Sequence, residues 1–123
     1  MTQAEIERDY WRRLSLYLGQ SATILENTIT NIEICDEVQK NADSSLDEIG
    51  IARLLEERGR KLLDKAKDIT LDIAEFRVRN TKPANQNSVS VDAKFFNQLR
   101  AVSEESEQYN SSIDKLEKMK KRC

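Results

Sequence analysis

WRRLSLYLGQSATILENTITNIEICDEVQKNA, residues 11–42, is the stretch that decides the fold. Within it Trp11, Leu14, Leu18, Ser21, Leu25, Thr28, Ile32, Cys35, Gln39 and Ala42 recur at alternating intervals of three and four, the seam of a coiled coil. Tyr10, Tyr17, Ile24 and Val38 stand one position before that seam and widen it. A stripe this broad reaches two neighbouring helices rather than one, which predicts a bundle. The segment TITNIEI, residues 28–34, is rich in β-branched side chains, but its apolar positions do not alternate as a half-buried strand requires.

Working outward, Thr2 and Glu5 have the spacing of a capping box, in which a hydroxyl and a carboxylate satisfy amide donors at a helix start. A first helix is expected over about 3–43. Asn41 to Ser45 is small, polar and turn-prone, and Ser45 with Glu48 repeats the capping box, so the chain reverses into a second helix over 46–79. Its seam reads Leu55, Gly59, Leu62, Ala66, Ile69, Ile73 and Phe76. Residues 80–90, NTKPANQNSVS, suit a solvated linker. A third helix, expected over 91–121 with Ser90 or a neighbour as its cap, has the seam Phe95, Leu99, Val102, Ser106, Tyr109, Ile113 and Leu116. The prediction is an all-α, elongated three-helix antiparallel bundle, a single domain over 1–123 with the character of a coiled-coil subunit. At ~1.5 Å per residue its helices run roughly 60, 50 and 45 Å.

Composition agrees. Of 123 residues 34% are charged and 6% aromatic, with three glycines and one proline, too few turn formers for a β-rich fold. Histidine is absent, which removes a required part from a Ser-His-Asp or Cys-His hydrolase, a histidine-ligated zinc site and a carboxylate-bridged metal bundle built on Glu-x-x-His. Gly19, Gly50 and Gly59 stand alone in helical pattern, so no phosphate loop is formed. No enzyme, cofactor or metal site is expected. The formal charge of -2 argues against a globally basic nucleic-acid binder. No run approaches the roughly 18 apolar residues of a membrane span, and the start MTQAEIERDY has no signal-sequence pattern, so the expected compartment is cytosol or nucleus. Cys35 and Cys123 lie too far apart for a CxxC motif and are expected as free thiols.

The expected function is that of a non-catalytic subunit, a scaffold or adaptor in a larger helical hetero-oligomer, which binds sibling subunits through its apolar stripes. The candidate contact residues are Trp11, Leu14, Leu18, Leu25, Ile32, Leu55, Leu62, Ile69, Ile73, Phe76, Leu99, Val102, Tyr109, Ile113 and Leu116. Trp11, with Tyr10 and Tyr17, reads either as a partner anchor or as core packing of the first helix. Gly59 reads either as a point of close helix approach or as a tolerated defect. Off the seams lie Leu16, Ile29, Ile34, Ile51, Leu54, Leu71 and Val78, more large aliphatics than a solitary bundle needs to expose, unless some of them form the true core. The rival expectation is a self-contained three-helix adaptor that recognises a peptide or an acidic membrane surface. Its charges would be Lys118, Lys120, Lys121 and Arg122, beside an acylatable Cys123. Nucleic-acid contact by the same run is a weaker reading, because no aromatic residues accompany it.

Overall fold

A computed structural model describes residues 2–79 and 86–121. Three helices account for the regular structure: α1 (Gln3–Lys40, 38 residues), α2 (Leu46–Arg79, 34 residues) and α3 (Gln86–Lys121, 36 residues). The described residues contain no strand, so TITNIEI is helical. Each helix is ~50–57 Å long.

Local chemistry sets the first two helix starts. Thr2 is extended, and its Oγ1 accepts the Glu5 amide at 3.2 Å. At α2 both halves of the capping box form: the Glu48 amide donates to Ser45 Oγ at 3.2 Å and the Ser45 amide donates to Glu48 Oε1 at 3.3 Å. The first helix stops at Lys40, three residues short of the expected 43. Asn41 turns extended there, and its side-chain oxygen accepts the Asp43 amide at 2.9 Å, a local bond that competes with helix propagation. The third helix starts five residues earlier than expected, at Gln86, so 86–90 belongs to α3 and not to the linker. None of those five residues is glycine or proline, and asparagine, serine and valine cost only a few tenths of a kcal/mol each in a helix. The rest of the expected linker, 80–85, lies outside the described residues.

The chain runs up, down, up. Contacts between α1 and α3 keep a constant offset of 79 positions, in Arg13 with Asp92 and in Asn31 with Asn110, which makes the two helices parallel. The Tyr17 and Phe96 rings, 6.3 Å apart, keep the same register. Helix α2 lies antiparallel to both, meeting α1 through Gln39 and Glu56 and α3 through Lys65 and Glu105. The core is continuous along the bundle, from Tyr10, Leu14, Phe95 and Ile73 at one end to Val38, Ala52 and Leu116 at the other. Phe76 meets Phe95 edge-on at 5.8 Å within it.

Polar seam positions are accommodated by bonds to the helix backbone or to a facing helix. Buried Thr28 donates to the Ile24 carbonyl at 2.7 Å, and buried Ser21 lies 2.9 Å from Thr70 Oγ1 of α2. Asn31 Nδ2 donates to Asn110 Oδ1 at 2.6 Å, a partly buried amide pair that disfavours slippage between α1 and α3. Gln39 Nε2 donates to Glu56 Oε2 at 2.9 Å, while Arg60 holds the other oxygen at 2.9 Å.

These two donors, Gln39 first and then Arg60, hold the Glu56 carboxyl below the usual carboxylate range. A lowered native value stabilises the fold above the unfolded value of about 4.3, and that contribution is lost as pH falls through the native value. Glu56→Gln should therefore be less stable than wild type at neutral pH, and the gap should close as pH is lowered below about 4. Urea midpoints measured across the acid limb check this. A gap independent of pH would show that the ionised carboxylate is not what ties α2 to α1.

Candidate partner-binding surface

Ten of the fifteen expected contact residues are buried within the chain's own core: Leu14, Leu55, Leu62, Ile69, Ile73, Leu99, Val102, Tyr109, Ile113 and Leu116. Trp11, Leu18, Leu25 and Phe76 are half-buried and pack against it. Ile32 is also half-buried, with Cγ1 close to Gly59. The stripes of the three helices thus face one another, and the seam builds the bundle itself. Trp11 resolves toward packing: its ring stands edge-on to buried Tyr10 at 5.2 Å. Gly59 resolves toward close approach, since an added Cβ would lie 2.8 Å from Tyr109 Cζ and 2.9 Å from Ile32 Cγ1. The side chains that approach come from α1 and α3 of the same chain.

Inside this layer the Cys35 thiol and the Tyr109 hydroxyl are both pushed up from their ordinary values, chiefly by burial. The Tyr109 hydroxyl is buried beside the Cys35 sulfur, a weak hydrogen-bonding group. Away from solvent and protonated, neither group is available for nucleophilic chemistry.

The off-seam aliphatics behave differently. Leu16, Ile29, Ile51, Leu54, Leu71 and Val78 are exposed, while Ile34 is half-buried against the core. Of the exposed residues, Leu54 (67%), Leu71 (55%) and Val78 (79%) lie on α2 together with Ile51 and with Leu46, which the seam pattern did not single out. Leu71 and Val78 are one heptad apart and share a stripe. Phe96 on α3 was missed in the same way; it directly follows core Phe95, so one of the two rings has to point off the seam. Met119 is a third exposed apolar residue without a signal in the pattern.

Among the described residues, grooves run between the helices. One, of about 670 Å³, lies between α1 and α3 beside Leu16, Gly19 and Thr23. Another, of about 480 Å³, lies between α2 and α3 and is polar, with Arg58, Glu107, Ser111 and Lys115 in its walls. Both are open clefts on the surface. No helix among the described residues is long and apolar enough to cross a membrane. Of the C-terminal charges, Lys118 is exposed on α3, whereas the side chains of Lys120 and Lys121, and Arg122 and Cys123 entirely, lie outside the described residues. Comparison with protein families, with curated proteins and with solved structures found no match.

Proposed function

We propose that this chain is a non-catalytic helical subunit of a multi-subunit assembly, a scaffold or adaptor whose partner is another helical protein laid along α2. The observation that carries this reading is the apolar residue set Leu46, Ile51, Leu54, Leu71 and Val78, exposed on one helix although the core is closed without it. Burying a leucine or valine side chain contributes about 1.5–3 kcal/mol, so a partner helix covering two or three of them gains enough to offset much of the cost of association. The charges around this row select the partner's register. In this scheme the seam residues hold α2 in place and the exposed stripe of Leu71 and Val78 makes the main contact.

A tagged full-length chain purified from cells in which it is native should carry a stoichiometric helical partner. Leu71→Ser combined with Val78→Ser should release that partner and leave the thermal melt of the isolated chain unchanged, because both side chains are exposed. Retention of every partner by the double variant would overturn the reading. The second reading, a self-contained adaptor domain, is favoured by one feature: eighteen apolar residues of a single chain already form the core. It predicts instead that charge removal at Lys118, Lys120, Lys121 and Arg122 abolishes binding to a peptide or to anionic vesicles, and that the α2 row is indifferent.

A further inference from the structure

We infer that the polar groove between α2 and α3 is a binding site for a phosphoryl group, held from two sides by Arg58 and Lys115. The helix register explains the groove. Facing positions of antiparallel helices advance in opposite directions, so the ion pair of Lys65 with Glu105, 3.0 Å apart, sets Arg58, one heptad back on α2, against Ser112, one heptad on along α3. Arg58 and Ser112 do share the walls of the groove of about 480 Å³. Arg58 thus stands where the neighbouring layer pairs a cation with an acid, and it meets a serine instead. Ser112 is short, and its hydroxyl donates to the Gln108 carbonyl of its own helix at 3.1 Å, so the space opposite the guanidinium stays open.

Two cations meet at this opening, and the chain neutralises neither. Arg58 and Lys115 take part in no ion pair or hydrogen bond among the described residues. The positions three and four away on their own helices hold leucine and lysine around Arg58, and serine, lysine and methionine around Lys115, none of them acidic. Arg58 is turned toward α3, where its positive charge works against the burial that pushes the Tyr109 hydroxyl up. The Ser111 hydroxyl and the Gln108 carboxamide, both exposed on the wall, add neutral donors. Glu107, the acid among the described wall residues, stands five positions before Ser112, ~7.5 Å along the axis, and leaves the wall an excess of one positive charge. A guanidinium, an ammonium, a hydroxyl and an amide offer more donors than the two oxygens of a carboxylate can use, whereas a phosphate monoester brings three oxygens and up to two charges. The site faces α3, thirteen positions from Leu71, and does not rest on the partner row of α2.

The test is a titration of the full chain at neutral pH, followed by nuclear magnetic resonance, with inorganic phosphate, phosphoserine and acetate at matched ionic strength. Both phosphates should shift the Arg58 Nε–Hε signal and the amides of residues 108–115 to saturation, and acetate should not. Arg58→Gln and Lys115→Gln should each weaken phosphate binding about tenfold, the second without lowering the melt because Lys115 is exposed. Lys67→Gln, exposed on α2 away from the groove, should leave binding unchanged. Ser112→Glu supplies the missing acid, so it should raise the melting temperature and expel phosphate, and the rise should vanish in S112E/R58Q. Phosphoserine bound more tightly than inorganic phosphate supports the site and marks a phosphorylated group on a larger ligand as its occupant; equal affinities support it with free phosphate as the occupant. No saturable shift, shifts that survive both glutamine variants, or acetate bound as well as phosphate would overturn the proposal.

Discussion

Gly59→Val should abolish the native bundle, and Gly59→Ala should destabilise it by up to about 2 kcal/mol although alanine is the better helix former. Helix propensity alone would reward the alanine by about 1 kcal/mol. Against this, the new Cβ would lie 2.8 Å from Tyr109 Cζ and 2.9 Å from Ile32 Cγ1, and closer still to the Tyr109 hydroxyl oxygen. Tyr109 is fully buried, so its ring has no solvent into which to swing. Overpacking of this kind costs about 1–3 kcal/mol for a single methyl and more for a β-branched side chain. Tyr109→Phe removes the nearest atom, and because the hydroxyl's neighbour is the weakly hydrogen-bonding Cys35 thiol, that change alone should cost no more than about 1 kcal/mol. The double variant G59A/Y109F should recover part of the loss, which thermal melts of the four proteins measure as a coupling energy. An alanine variant at least as stable as wild type would show that the three helices do not close on Gly59.

The second large effect separates core from contact surface. Leu62 has no exposed area, and Leu62→Ala should cost about 3 kcal/mol, roughly 10 °C in Tm for a chain of this size. Leu71 is exposed, and Leu71→Ala should change the melt of the isolated chain by less than about 0.5 kcal/mol. In the assembled state the order reverses: if Leu71 anchors the partner helix, its truncation should cost about 2 kcal/mol or more of binding. Melts of the isolated chain and titration against the purified partner give both numbers. Equal small effects of Leu71→Ala in both assays would leave the α2 row without a role.

The seams of α2 and α3 were legible because in each only one apolar row keeps the three-and-four spacing without a break. From Phe95 to Leu116 every position of the α3 seam is buried, and on α2 Phe76 alone stays half-exposed. Helix α1 was harder because two adjacent rows are both apolar. The structure centres its buried face on Leu14, Ser21, Thr28 and Cys35, and sinks Tyr10, Tyr17, Ile24 and Val38 deeper than Trp11, Leu18, Leu25 and Ile32. Periodicity cannot choose between such rows, since the choice depends on where α3 sits, and α3 is placed by long-range pairs such as Asn31 with Asn110. Helix ends escaped for a different reason. Lone polar residues such as Asn41 stop a helix by side-chain bonds that follow no repeat. For the surface, the off-seam aliphatics were visible as a surplus, four of the seven already within the expected second helix, but that these four stay exposed while Ile34 packs on the core emerges only when the bundle is closed.

If the apolar side chains exposed on α2 belong under a partner helix, association should complete the stability of this chain. Thermal unfolding followed by circular dichroism, of the isolated chain and of the chain with the helical partner that co-purifies with it, measures this. The expected result is a broad transition of the isolated chain, near about 45 °C or below, that moves upward when the partner is added. A sharp transition of the isolated chain above about 65 °C, unmoved by the partner, would rule the subunit role out.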